Sequence, residues 1–347
     1  MARGFAGYTG ALGSSTTDVD TRVGAWTLQE VYESRLANTW LPPSPNLFTR
    51  ATSYGAFHNG TETELTDAQL VTGVLIDGNA ASNPDYPGAY KLVLGSAMSL
   101  EFHLWGSGGG GTTGHSGYTK YTAQFAKGTT LGIYLPGWDG VPTTNAQKQV
   151  AQWPDAGSGG TVSANHGLSG GGSSRVGLLY ADQAAMNAST AEYYAIAGGG
   201  GGDHLYKTNA GHGGGSSGVA AGAGDYGSGG GGAGSQSAGG TGGSASPSYA
   251  GAGLAGAKYQ GGNGVANAPT YGGGGGGGGG YYGGGAGGTV YAAGGGGSGY
   301  IDTGFSGYSS GTTTAGSASG SPAGVGYTKP TGAGDTNKRG AIFFKKV

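Results

Sequence analysis

Tyr271-Gly272-Gly273-Gly274-Gly275-Gly276-Gly277-Gly278-Gly279-Gly280-Tyr281-Tyr282-Gly283-Gly284-Gly285 is the stretch on which the fold turns. A run of residues without side chains buries almost no apolar surface, and each glycine loses more backbone entropy on ordering than any other residue, so the compositional default is a flexible linker. The competing state is a rod. In the polyproline-II conformation, with three residues per turn, nine glycines extend ~28 Å, and bare backbones approach closely enough to hydrogen-bond to each other instead of to water. Cα–H···O contacts would add second-order support.

Working outward, residues 198–300 hold 47 glycines among 103 positions and only four charges, Asp203, Lys207, Asp225 and Lys258. The runs Gly198–Gly202, Gly229–Gly232, Gly272–Gly280 and Gly294–Gly297 alternate with short segments of Tyr, Ala and Ser. Linkers are usually solvated by charge, whereas these spacers are aromatic, and the major runs abut segments with strand patterning. The region is therefore expected to be an ordered bundle of extended glycine helices without α-helix.

Residues 47–197 read as mainly β. Tyr90-Lys91-Leu92-Val93-Leu94, Ser99-Leu100-Glu101-Phe102-His103-Leu104-Trp105, Leu131-Gly132-Ile133-Tyr134-Leu135 and Val176-Gly177-Leu178-Leu179-Tyr180 carry strand patterning between turn-rich stretches such as Ser82-Asn83-Pro84-Asp85. Short strands in this arrangement predict an antiparallel sandwich. Residues 338–347 predict a final strand returning to it, and 301–337 reads as a Ser/Thr/Gly-rich connector. Ahead of these lies a leader, 1–46, with apolar Leu28, Val31, Tyr32 and Leu36 at helical spacing and Thr27/Glu30 at capping-box spacing. The proline cluster Pro42-Pro43-Ser44-Pro45 ends it. A helix this short is marginal alone, so it is expected to dock on its own domain or on a neighbouring protein of an assembly.

Composition narrows the function. The 347 residues carry 87 glycines, a formal net charge of -2 and 10% charged residues, so there is no basic field to attract nucleic acid. Cysteine is absent, which removes disulfides, thiolate metal sites and a nucleophilic thiol. Nowhere do 18 apolar residues run together, so no membrane insertion is expected. Met1-Ala2-Arg3-Gly4-Phe5-Ala6-Gly7-Tyr8 has no apolar signal core, so synthesis in a cytoplasm is expected, with release by another route such as lysis. Gly-x-Ser-x-Gly occurs at Gly167–Gly171, Gly214–Gly218 and Gly307–Gly311, as chance allows in so Gly/Ser-rich a chain, without strand-to-helix context. His58, His103, His115, His166, His204 and His212 show no ligand spacing, and Glu62 with Glu64 reads as a charged edge. Neither catalysis, a metal nor a cofactor is expected.

The order in which Leu100–Trp105 enters Gly106-Ser107-Gly108-Gly109-Gly110-Gly111, followed by Phe125–Leu135, Ser173-Ser174-Arg175-Val176, Tyr194-Ala195-Ile196-Ala197 with its glycines, and the run at 272–285, resembles a known family. It is similar to the glycine-rich domain of many phage and bacterial surface proteins and of the extracellular region of anaplastic lymphoma kinase and its leukocyte relative. The resemblance covers roughly residues 90–300. It implies a fold class that is mainly β with irregular structure, an antiparallel β-sandwich joined to a bundle of polyglycine-II helices, here with a short N-terminal α-helix. Similar helices build the tips of some phage tail fibre adhesins. The cysteines, transmembrane helix and kinase domain of the receptors have no counterpart here, so growth-factor binding is not implied.

What the resemblance implies is a non-enzymatic protein of a phage virion, in a tail fibre or tail tip, made in the host cytoplasm and exposed after release. Its expected partners are other virion proteins, gripped through Trp26, Leu28, Val31, Tyr32 and Leu36, and a host cell-surface glycan or outer-membrane protein. A homo-oligomer is expected, with a trimer as one candidate state. A purely architectural capsid or tail protein and a bacterial extracellular filament subunit remain alternatives. Receptor contact would fall on turns between rods, with Tyr206, Tyr226, Tyr249 and Tyr259 the candidates, since tyrosine offers a flat apolar face and a hydroxyl at low entropic cost. Each of these rings could instead cap a rod end.

Overall fold

The computed structural model describes residues 12–14, 18–20, 53–56, 63–77, 88–136, 151–160, 166–249, 251–266, 272–326, 328–331, 333–335 and 339–347. The helix expected in the leader, with Trp26, Leu28, Val31, Tyr32 and Leu36, lies outside these residues.

The protein is mainly β with two antiparallel sheets. With strands numbered along the chain, a short hairpin pairs β1 (Leu12–Ser14) with β2 (Asp18–Asp20). The seven-stranded sheet runs in the order β12 (Tyr300–Ile301), β11 (Tyr193–Ala197), β10 (Ser174–Gly177), β9 (Thr130–Tyr134), β6 (Ala89–Val93), β3 (Ser53–Ala56) and β4 (Thr63–Glu64). The five-stranded sheet runs β13 (Tyr308–Thr314), β8 (Tyr118–Phe125), β7 (Met98–Trp105), β14 (Ala341–Lys346) and β5 (Val74–Asp77).

Side chains from both sheets share one core. Leu92, Leu131, Ile133 and Val176 of the first meet Leu100, Phe102, Leu104, Ile342 and Phe344 of the second. The pleat explains the choice: Ile342 and Phe344 face this core, while Phe343 between them points to the other side, against His103. The C-terminal strand thus lies inside the five-stranded sheet, between β7 and β5.

Three expectations change. Residues 301–337 are not merely a connector, because β13 pairs along β8 as an edge strand. The strand expected over 176–180 ends at Gly177, where the Tyr134 hydroxyl accepts from the Tyr180 N–H (2.7 Å) and donates to the Leu178 carbonyl (3.0 Å), taking the ladder's place. Two short helices were not foreseen, Asp67–Thr72 with a Thr66/Gln69 capping box and Gln183–Asn187 capped by Asp182.

The described residues of 198–299 contain neither helix nor strand, yet their backbone is bonded throughout its interior. The run at 272–280 sets the pattern, which repeats every three residues. Gly274 and Gly277 donate to Val265 and Gly262, Gly275 and Gly278 to Ala292 and Gly295, and Gly276 and Gly279 to Leu168 and Gly171. Its carbonyls accept from Gly157 and Gly160, from Gly199 and Gly202, and from Gly284 and Gly287. Each turn of chain therefore meets six neighbouring segments, three by donation and three by acceptance.

Two consequences follow. First, the glycine region does not begin at 198: stretches 106–117, 156–160 and 167–173, expected within the β region, are bonded into it. Second, no side chain fits between the segments. A Cβ on Gly274, Gly275, Gly276, Gly277 or Gly278 would lie between 1.9 and 2.2 Å from a carbonyl oxygen of a neighbouring segment.

Backbone on both sides leaves nothing to swing aside, so Gly276→Val is expected to destabilise the protein by about 3 kcal/mol or more in urea unfolding, at or above the usual range for overpacking. Gly304→Ala, where only the Asp302 carboxylate lies nearby at 3.3 Å, is the control and should stay within about 1 kcal/mol of the parent.

Candidate functional site at the turns remote from the sheets

Because successive segments run back and forth, their turns gather at two ends. One set meets the sheets: the Tyr259 hydroxyl donates to the Ala191 carbonyl (2.7 Å), Tyr281 stacks on Tyr300, and Gln236 donates to the Gly299 carbonyl. The other set, 111–113, 203–208, 225–227, 246–249 and 289–291, is bonded to itself and to neighbouring glycine segments. The Asp225 N–H donates to the Val290 carbonyl, the Ser246 hydroxyl to the Tyr226 carbonyl, and the Thr289 hydroxyl to the Tyr249 carbonyl.

Asp203 organises this remote end. It is fully buried, and its carboxylate accepts from the N–H groups of Thr112 (2.6 Å), Thr113 (2.9 Å), Asn209 (3.0 Å) and Ala210 (2.9 Å) and from the Thr113 hydroxyl. One side chain thus ties three pieces of chain together where a run of glycines ends. Beside it His204 is buried with its ring against Tyr291 (4.7 Å) and Tyr206 (5.7 Å), and its Nδ1 accepts from the Tyr206 N–H. Tyr226, Val290 and Tyr291 have φ of 52°, 73° and 68°, a left-handed backbone that costs a residue with a side chain about 1–2 kcal/mol. The surrounding bonds hold that backbone in place.

What this end presents is specific. Tyr206 and Tyr226 are 62% and 63% exposed, Tyr249 is half-buried with its edge on Tyr226, and the exposed ion pair Lys207–Asp225 (2.8 Å) lies among them. Such a pair contributes little stability. Tyr206, Tyr226 and Tyr249 are therefore brought to one end. Tyr259 is not, and its candidacy is withdrawn: it is 1% exposed and lies at the opposite end. Its ring and that of Tyr193 take the buried Arg175 guanidinium at 5.1 and 5.0 Å. Sequence reading did not choose Tyr291 as a candidate and did not foresee the anchoring role of Asp203. The signal for Asp203 was a carboxylate standing immediately after a glycine run.

Two buried polar clusters lie apart from these turns. The His103 Nε2–H donates to Glu101 (3.0 Å), whose carboxylate also holds Lys120 (2.7 Å) and Lys345 (3.1 Å), while His103 Nδ1 accepts from the Tyr118 hydroxyl. Burial works to raise the Glu101 pKa, but the hydrogen bonds from Lys120, His103 and Lys345 outweigh it and hold it down at about 2. Arg175, fully buried, binds Asp155 (2.5 Å) and Ser173 (2.8 Å). Burial opposes the guanidinium charge, and Asp155 with Tyr193 more than restores it. Among the described residues no group of three or more His, Asp or Glu is placed to hold a metal, and no helix is long and apolar enough to cross a membrane. No protein-family model and no curated protein matches this chain.

Asp203→Ala would leave several buried N–H groups without acceptors, at about 1–3 kcal/mol each where water does not replace them. A loss of about 3 kcal/mol or more in urea unfolding is expected, with Asp203→Asn milder because one acceptor oxygen survives. A second prediction concerns pH. Burial, the largest influence, holds His103, His115 and His212 below the ordinary imidazole value of 6.5. The unfolded chain then binds protons that the folded chain refuses, so stability is complete above pH 6.5 or so and falls as the pH drops through that value. A second fall between about pH 4.5 and 2 is expected from Glu101, whose folded pKa is lowered. Unfolding midpoints from pH 8 downward check both, and His115→Gln with His212→Gln should flatten the first.

Proposed function

We propose that this chain is a non-enzymatic virion protein of a tailed bacteriophage, a tail fibre or tail tip component that presents its remote turns to the host surface. In this reading the two sheets form an antiparallel sandwich and the glycine region is a polyglycine-II bundle. The three-residue repeat of the cross-segment hydrogen bonds, with donors and acceptors directed to six neighbours, supports the bundle. The resemblance carried by 90–300 supports the phage assignment.

The observation that carries the reading is the gathering of exposed Tyr206 and Tyr226, with Tyr249 beside them, on turns fixed by rods rather than by a flexible loop. Preorganised turns lose little freedom on binding, and tyrosine with polar neighbours suits a glycan or an outer-membrane protein. Other virion proteins would hold the 1–46 leader, and the working form would be a homo-oligomer.

A purely architectural role is the second reading. Val219 and Leu254, on outer glycine segments, are 41% and 54% exposed, a surface that side-by-side packing of copies would cover.

Tyr206→Ala and Tyr226→Ala separate the two. Both rings are exposed, so melting should shift by no more than a degree or two. Adsorption of particles carrying the pair, and competition by the purified protein, should fall about tenfold for every ~1.4 kcal/mol by which binding is weakened. Unchanged adsorption with unchanged melting would leave the architectural role as the better reading.

A further inference from the structure

At the end of the glycine region that meets the sheets lies a cleft of about 360 Å³ that neither the fold nor the proposed receptor face uses. Its walls come from three parts of the chain. Tyr194 and the exposed Glu192 stand at β11, Tyr300 and Asp302 at β12, and Tyr281 with Lys258 on two glycine-region turns. Tyr281 and Tyr300 stack at 4.1 Å and 13°, and Tyr194 packs against Phe305 at 4.8 Å. The Asp302 backbone N–H donates to the Tyr194 carbonyl, and one carboxylate oxygen accepts from the Gly304 N–H (2.9 Å), which fixes the side chain and leaves its other oxygen for a ligand.

An aromatic lining with a few fixed polar groups is the composition of a small-ligand site, and the volume is at the lower end of the range for one. Charge decides the class. Two carboxylates, Glu192 and Asp302, face one ammonium, Lys258, which already donates to the Ser189 carbonyl (2.7 Å), so an anionic ligand meets net repulsion. A cation is drawn by the carboxylates, but Lys258 already offsets one of them and occupies the ring faces that a cation would use. The Lys258 ammonium lies over the rings of Tyr259 and Tyr281 at 4.9 and 5.3 Å, and Tyr281 and Tyr300 cover one another, so the faces that would hold a second cation are taken. A neutral ring bearing hydroxyls needs no open ring face: its hydroxyls donate to the carboxylates and its C–H groups pack on the ring edges of the aromatic lining, which stacking leaves open. Burial pushes the Tyr300 hydroxyl up to about 12, so it remains a donor at any working pH.

We propose that this cleft binds a neutral saccharide, one or two hexose or N-acetylhexosamine units in size, with Glu192 and Asp302 accepting from hydroxyls and the tyrosines supplying the apolar wall. The site is independent of the virion reading and lies at the opposite end from Tyr206 and Tyr226.

The test is calorimetry and saturation-transfer NMR on the full chain with methyl glycosides of neutral hexoses and N-acetylhexosamines, with glucuronate and choline as charged probes. At least one neutral glycoside is expected to bind and the charged probes are not. Glu192→Gln, at an exposed position, and Tyr300→Ala should each weaken binding about tenfold or more, and Tyr206→Ala with Tyr226→Ala should leave it unchanged. Should Tyr300→Ala unfold, Glu192→Gln alone decides. Absence of binding by all neutral glycosides, preference for either charged probe, or affinity indifferent to Glu192→Gln would overturn the site. The adsorption phenotype of the Tyr206 and Tyr226 variants stands or falls separately.

Discussion

A buried peptide N–H must find an acceptor, and in a region nearly devoid of side chains the acceptors are chiefly the carbonyls of other segments. The run at 272–280 shows that condition at work. A three-residue repeat sends successive N–H groups in three directions, so a run placed at the centre, as at 272–280, must be surrounded on all sides before its peptides are satisfied. That closeness leaves no room for a Cβ at most interior positions, which is why glycine is required there despite its entropic cost. Ala286, Ala292 and Ala293, all fully buried, mark places where a methyl is admitted. Hydrogen bonding and dispersion between backbones thus replace the hydrophobic core that the composition cannot supply.

Such a region still needs a template to set which segment lies beside which, and the sheets provide it. Chain passes directly from β7 into 106–117 and on into β8, from 167–173 into β10, from β11 into 198–202 and from 294–299 into β12. The ladders therefore fix where each rod starts. Arg175 locks the junction: it reaches from β10 to Asp155 and Ser173, lies against the rings of Tyr193 and Tyr259, and is closed off by Gly279, whose missing side chain leaves space for the Asp155 carboxylate. Removing one partner of so buried a pair would strand the other's charge, whereas the complete pair contributes geometry more than net stability.

Patterning made the sheets legible at Tyr90–Leu94, Ser99–Trp105, Leu131–Leu135 and the C-terminal strand, because alternation there reports a real division between two faces. It misjudged 301–337, where β13 is an edge strand whose residues after Tyr308 are all serine, glycine and threonine, too little apolar character to register. The extent of the glycine region was half legible. Long runs stood out, but 156–160 and 167–173 interleave their glycines with Ser, Leu and Ala, and only the hydrogen bonds place them in the interior. The turn residues were the hardest to sort. Tyr226 and Tyr259 share a left-handed backbone and similar neighbours in sequence, with φ of 52° and 57°. Which end of the rods a turn occupies depends on how many segments precede it, and that is information no local pattern contains.

This division of labour shapes what can vary. Within the rods a substitution meets backbone from several directions, so sequence change is confined by sterics at nearly every glycine. At the remote turns Tyr206, Tyr226 and Pro247 are exposed, while the buried Asp203 anchors its turn to 112–113 and 209–210. Exchanging the exposed Tyr206 or Pro247 alters the surface and leaves the hydrogen bonds between glycine segments in place. The glycine region thus rests on backbone contacts and on a few buried side chains such as Asp203, and the exposed side chains at its turns add little to its stability.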